Sequence, residues 1–157
     1  MLRRSFQPAA PSCGSLLSLL RPKPDKHCSA CQKCYEGPAY CCDDCSYYLH
    51  ESCAGLPFEI QHFYHSSHSL TLHGIEYDTA VNCDMCQESW MGFTYRCNHC
   101  DFKMDIQCAK LQPVIQLSIH PDHPLTLQVG DTEIKSNFFC DFCNNRCDSN
   151  WTFCCKD

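Results

Sequence analysis

The chain lacks any run approaching the ~20 apolar residues that span a bilayer; its one candidate, around residues 16–20, is short and interrupted by serine. A transmembrane helix is therefore not expected. Basic charge is scarce: 12 Lys and Arg stand against 18 Asp and Glu, a net charge of −6 with His neutral. No global field draws in phosphate backbones or anionic lipid, and a basic stripe with interleaved aromatics, the footprint of nucleic-acid binding, is missing. No secretory signal points to an oxidising compartment. Neither a Ser/His/Asp constellation nor a phosphate loop is visible, which argues against catalysis. The first 24 residues carry four basic and no acidic side chains. That is compatible with an organellar transit peptide, but without a clear amphipathic period residues 1–27 read as a disordered leader.

Thiols are what the chain has in excess. Eighteen cysteines in 157 residues exceed the ~8–10% that marks a stapled scaffold, and nine histidines have no role in a disulfide framework. Laid over itself with a shift of 55 residues, the chain repeats without a gap: Cys28, Cys31, Cys42, Cys45 and Cys53 fall on Cys83, Cys86, Cys97, Cys100 and Cys108. Ile60, Gln61 and His65 fall on Ile115, Gln116 and His120, and the HSLTL that begins at His68 falls on the HPLTL that begins at His123. A third copy starts at His123 with a slightly longer period. It contributes Cys140 and Cys143, and its Trp151-Thr-Phe-Cys-Cys resembles Phe93-Thr-Tyr-Arg-Cys, which puts Cys155 in the place of Cys97. The expected organisation is a first repeat over 28–65, a second and fullest over 66–120, and a shortened third over 121–157.

Units of this size bury too little apolar surface to offset the entropy of folding, so a staple is needed. The cysteines come as C-x2-C pairs followed by H-x2-C, a spacing at which two thiolates from one tight turn reach a single tetrahedral ion. Zinc is expected in preference to disulfides.

The run CSAC…YCCDDCSYYLHESCAGLP, with the HSLTL and HPLTL starts, resembles the divergent C1 domain of plants, the Cys/His-rich relative of the diacylglycerol-binding domain of protein kinase C. The resemblance covers about residues 28–157 and implies two interleaved zinc sites per unit. It implies one site from Cys28, Cys31, His50 and Cys53, and its counterpart from Cys83, Cys86, Asp105 and Cys108, with the aspartate standing where the first repeat has His50. The competing reading leaves Asp105 in solvent and lets water or His99 close the site. A second kind of site in the middle repeat is expected from His68, Cys97, Cys100 and His120. In the first repeat, Cys42 and Cys45 need a closing histidine, either His65 by register or His62 by spacing. Cys13 is a possible fourth ligand there, with His27, Cys34 and Cys41 as other substitutes. His123 and Cys155 offer half a site in the third repeat, and Cys140 and Cys143 lack distant partners apart from a makeshift grouping with Cys147 and Cys154 or Cys155. Residues 128–157 are accordingly expected to be more protease-sensitive than the middle repeat.

The expected fold class is a set of small zinc-stabilised α+β modules in tandem, with short strands and a helical turn per repeat. Three or four zinc ions per chain are expected. The resemblance implies a non-catalytic interaction module of signalling or stress responses with a protein partner; a monomer in a reducing compartment, cytoplasm or nucleus, is expected. Lipid binding is the first alternative, weakened because only ten residues separate Cys31 from Cys42, fewer than the parent loop needs. Thiol-disulfide exchange is the second, since C-x2-C is also a redox motif, though no βαβ context accompanies it.

Overall fold

The computed structural model describes residues 17–20, 26–34, 37–42, 44–45, 47–75, 79–130, 139–146 and 150–155. The leader residue Cys13 and the tail residue Cys147 lie outside them. The chain is strand-rich. In order run β1 (Ser18–Leu20), β2 (Ala39–Cys41), β3 (Tyr48–His50), the one-turn helix α1 (Glu51–Ala54), β4 (Glu59–His62), β5 (His65–His73), β6 (Val81–Asn82), β7 (Ser89–Trp90), β8 (Thr94–Cys97) and β9 (Lys103–Asp105). A 3-10 turn (Cys108–Lys110), β10 (Val114–Leu117), β11 (His120–Val129) and β12 (Trp151–Cys154) complete the described chain. Among the described residues helix is limited to the two short turns, and neither is long and apolar enough to cross a membrane.

Three antiparallel sheets carry the architecture: β1-β2-β3, β4-β5-β8-β9 and β10-β11-β12. Pairing follows the sequence repetition residue for residue. Ala39↔His50 and Tyr40↔Leu49 in the first sheet recur as Thr94↔Asp105 and Tyr95↔Met104 in the second. The hairpin pairs Ile60↔Leu70 and His62↔His65 recur as Ile115↔Leu125 and Leu117↔His120. The stretch read as a disordered leader contributes β1, whose Leu19 pairs with Tyr40 as Leu72 pairs with Tyr95. Its Ser-Leu-Leu run is exposed, and the edge of β2 facing away from β3 gives it a partner.

The C-x2-C pairs Cys28/Cys31, Cys83/Cys86 and Cys140/Cys143 form the same tight knuckle. In all three the residue after the second cysteine is left-handed, Gln32 (φ 57°), Gln87 (φ 61°) and Asn144 (φ 53°), and its N–H returns to the first cysteine carbonyl at 2.7–2.8 Å. A non-glycine residue at positive φ is uncommon and must be held there by its surroundings. Here the first cysteine's N–H also donates across the turn, to Lys33, Glu88 and Asn145 respectively. The knuckle's second residue then anchors a strand, Ser29 Oγ accepting from Tyr48 N–H and Asp84 Oδ2 from Lys103 N–H.

The cores are shared between successive segments. Cys28, Ala30 and Cys31 of the first knuckle pack in one cluster with Leu70, Leu72, Phe93 and Tyr95 of the middle segment. Leu127, Val129 and Trp151 pack against a second cluster that holds Cys83, Met85 and Met104.

Candidate metal centres

Four groups of donor atoms converge, each with all its atoms within 4.8 Å of one another: Cys28, Cys31, His50 and Cys53; Cys83, Cys86, Asp105 and Cys108; His65, His68, Cys97 and Cys100; and His120, His123 and Cys155. The first two are assembled alike. A knuckle supplies two thiols, and a strand end followed by a helical turn, β3–α1 or β9 and the 3-10 turn, supplies the other two donors. Around the first, His50 Nδ1 lies 3.2 Å from Cys31 Sγ and 3.9 Å from Cys53 Sγ. Its Nε2 lies 3.2 Å from the Cys34 carbonyl oxygen, which can only accept, so Nε2 carries the proton and Nδ1 presents a bare lone pair to the thiols.

Asp105 is buried, and its two oxygens divide the work. Oδ1 accepts the N–H groups of Gln107 at 2.6 Å and Cys108 at 2.9 Å, while Oδ2 lies 3.5 Å from Cys86 Sγ. The carboxylate thus folds the chain into the 3-10 turn with one oxygen and faces the thiols with the other, a local role characteristic of Asp and unavailable to His. His99, the alternative closer, is elsewhere, its ring 4.9 Å from that of His68.

The third group differs from the sequence reading. His65, not His120, stands with His68, Cys97 and Cys100. β5 pairs Leu70 with Cys97, so the beginning of that strand, which bears both histidines, overhangs the Cys97/Cys100 pair, and His65 Nε2 comes within 3.7 Å of Cys100 Sγ. His65 stacks on Phe102 at 4.3 Å between ring centroids, and His99 N–H donates to Cys97 Sγ at 3.3 Å. His120 begins β11 in the same way and joins His123 and Cys155. The repeated H-x2-H spacing, His65/His68 and His120/His123, was the signal for both sets; register along the chain pointed one repeat too far.

Neither proposed histidine serves Cys42 and Cys45. His65 is engaged as above, and His62 is buried at the register of Leu117, its Nδ1 accepting from Tyr64 N–H at 3.3 Å. Burial pushes the His62 pKa down, opposed by the carbonyls of Leu111 and Cys108, as expected of a core histidine. Among the described residues Cys42 and Cys45, like Cys140 and Cys143, belong to no group of three or more donors.

The donor sets fit zinc. Donors bound at ~2.0–2.3 Å to a tetrahedral ion stand about 3.3–3.8 Å apart, and the measured separations of 3.2–3.9 Å bracket that range. Among the described residues three buried histidine nitrogens, His62 Nε2, His68 Nδ1 and His120 Nε2, have no hydrogen-bond partner, which is costly unless something else takes the lone pair. His68 and His120 belong to the histidine-rich groups, and His62 belongs to none.

The thiols of each group perturb one another's ionisation. Hydrogen bonding from Cys53 draws the Cys28 pKa down to about 4, and that same bond, with burial, pushes Cys53 far up. Cys83 is lowered to about 7, chiefly by Cys108, while burial raises Cys86 to about 12 and the bond to Cys83 raises Cys108. Burial works against ionising Asp105, yet hydrogen bonds from Cys83 and from Cys108 hold its carboxyl below the ordinary carboxylate value. One thiolate per group is sustained by its neighbours; further thiolates need a positive ion.

Residues 63–109 match the C1 domain family. The match takes in β5, the Cys83 knuckle, β8 and β9, and with them the full Asp105 and His65 groups, in agreement with the divergent C1 pattern of the sequence. A stretch of 85 residues of the chain is also similar to a protein named probable nucleoredoxin 1 of Arabidopsis thaliana, at 27% identity, covering 54% of this chain and 13% of that protein. This chain thus spans only a small part of that relative. No solved structure matches the chain. The donor groups, which could hold zinc, and the C1 match over residues 63–109 together suggest a zinc-binding module.

Proposed function

We propose that the chain is a tandem array of divergent C1 units whose zinc ions are structural and whose role is to dock proteins, as an adaptor in plant signalling or stress responses. The observation that carries this is that three of the four donor groups already offer four ligand atoms. A zinc ion bound by all four is coordinatively closed: it cross-links strands and leaves no position for an activated water. In the Cys28 group His50 orients its lone pair through the Cys34 carbonyl. In the Cys83 group Asp105 supplies both turn and ligand. The N–H groups of His50 and Asp105 donate to the Sγ atoms of Cys28 and Cys83 at 3.5 and 3.4 Å, offsetting thiolate charge. The unit boundaries, protein partner and reducing compartment belong to the same proposal.

Native mass spectrometry tests it: three or four zinc ions per chain and no disulfides are expected, and a disulfide-bonded, metal-free chain that keeps its fold in chelator would falsify it. Similarity to a nucleoredoxin favours a second reading, thiol-disulfide exchange. The distinguishing measurement is reduction of a model disulfide by zinc-loaded protein, where turnover at the rate of a thioredoxin-like enzyme would promote the redox reading.

A further inference from the structure

The residue before each knuckle faces the residue that follows it by three. His27 bridges to Cys34, Asn82 to Ser89 and Phe139 to Arg146. The backbone therefore sets two side chains opposite each other at this place whatever their chemistry. Of the three pairs, the first alone consists of an imidazole and a thiol, and there His27 Nε2 lies 3.3 Å from Cys34 Sγ. Sequence spacing offers both as substitute ligands for Cys42 and Cys45; the fold instead turns them toward each other.

That separation is one that two donors take on a single tetrahedral ion, and it falls within the 3.2–3.9 Å measured inside the donor groups. Both side chains are exposed, so a hydrogen bond between them competes with water and contributes little. An ion, by contrast, finds the two donors already placed. The bridge fixes their backbones, Cys28 N–H donates to the Lys33 carbonyl at 2.9 Å, and the Cys34 carbonyl faces His50 Nε2 at 3.2 Å, so both donors are carried on chain that the first metal centre holds rigid. We propose that His27 and Cys34 form a further metal site, open and exchangeable, for a thiophilic divalent cation of the zinc kind. The site stands apart from the four donor groups and does not depend on the adaptor reading. Among the described residues the pair belongs to no group of three or more donors, so the ion takes two protein ligands and leaves its other positions to water or another small ligand. The Cys34 thiol proton leaves to solvent as the sulfur binds. Two ligands hold an ion less tightly than four, so this site fills when metal is in excess over the closed centres.

Cobalt(II) added to the full, zinc-loaded chain is the probe, because cobalt binds nitrogen and sulfur donors more weakly than zinc and so reports vacant positions. The comparison chain carries His27→Asn and Cys34→Ser, the residues that the second unit has at this bridge, so its fold should be kept and its zinc content should equal that of the wild type. Wild type should take up one equivalent of cobalt more than this variant, with a thiolate-to-cobalt charge-transfer band that the variant lacks. Zinc released into the filtrate corrects for cobalt that enters a closed centre. Equal cobalt uptake by the two chains overturns the site, as does a band of the same strength in the variant. Alkylation of the wild type by iodoacetamide, followed by peptide mass mapping, reads the same site without a substitution and decides the matter if the variant loses zinc. Cobalt should slow modification of Cys34 several-fold, and a Cys34 alkylated at the same rate with and without cobalt overturns the proposal.

Discussion

Asp105 shows how one residue meets two demands. Its counterpart His50 can present a nitrogen, whereas the carboxylate presents one oxygen to the thiols and spends the other on the N–H groups of Gln107 and Cys108. Three substitutions separate these functions. Asp105→Asn keeps an acceptor for the turn and loses the anionic ligand, so the fold should persist with one zinc bound more weakly. Asp105→His should retain the zinc at a cost of about 1 kcal/mol for the lost turn bonds. Asp105→Ala should lose that zinc. Zinc counts and chelator competition on the three variants check the order, and equal zinc in wild type and Asp105→Ala would return the aspartate to solvent.

Proton linkage at the same group has a definite sign. Cys86, raised to about 12, and Cys108, also raised, are protonated in the metal-free cluster above pH 7, so zinc must displace two protons. Below pH 7 Cys83, at about 7, becomes a third, while Asp105, with its pKa lowered, adds none near neutrality. Each displaced proton weakens metal binding about tenfold per unit of falling pH. Affinity should therefore fall about a hundredfold per unit above pH 7 and about a thousandfold per unit just below it. Cobalt substitution reads this through thiolate charge-transfer bands, and a slope unchanged across pH 7 would contradict the assigned Cys83 ionisation.

Among the elements, the joint between the first knuckle and the middle segment depends on backbone approach more than on side-chain bulk. Gly92 is needed because the Ala30 carbonyl occupies the space of its missing Cβ, and the Phe93–Ala30 hydrogen bond sits beside it. Gly92→Ala should destabilise the chain by about 1–3 kcal/mol through overpacking. Because no ligand is touched, zinc content should stay at the wild-type value. Amide exchange at Phe93 locates the damage: fast exchange there with protected amides in β11 is expected, and unchanged protection would mean the joint adjusts freely.

For the whole molecule, shared cores predict that metal removal propagates. Tyr95 and Phe93 of the middle segment pack with Ala30 and Cys31 of the first, so the loss of one knuckle's cross-link opens its neighbour's core. A strong chelator should abolish near-ultraviolet dichroism in a single transition and not in steps, since zinc binding free energy is folding free energy in domains this small. Diacylglycerol vesicles should not recruit the zinc-loaded chain, and saturable binding competed by phorbol ester would promote the lipid reading.

Local pattern alone determined the knuckles, because two thiols three residues apart on a tight turn converge whatever the rest of the chain does. It also placed His50 and Asp105, each three residues before a cysteine across a helical turn. What the sequence could not decide was which distant histidine returns to a given knuckle. His65 reaches Cys100 across 35 residues, through the pairing of β5 with β8, and tertiary pairing chose it over His120. The β4–β5 and β10–β11 hairpins placed His62 and Leu117 in the same register, and there His62 became a buried histidine of the core while Leu117 stays half-buried. The joint at Gly92 was invisible for a related reason: a glycine required by a carbonyl more than sixty residues away in sequence leaves no periodicity to read, and only the packed chain shows what each knuckle touches.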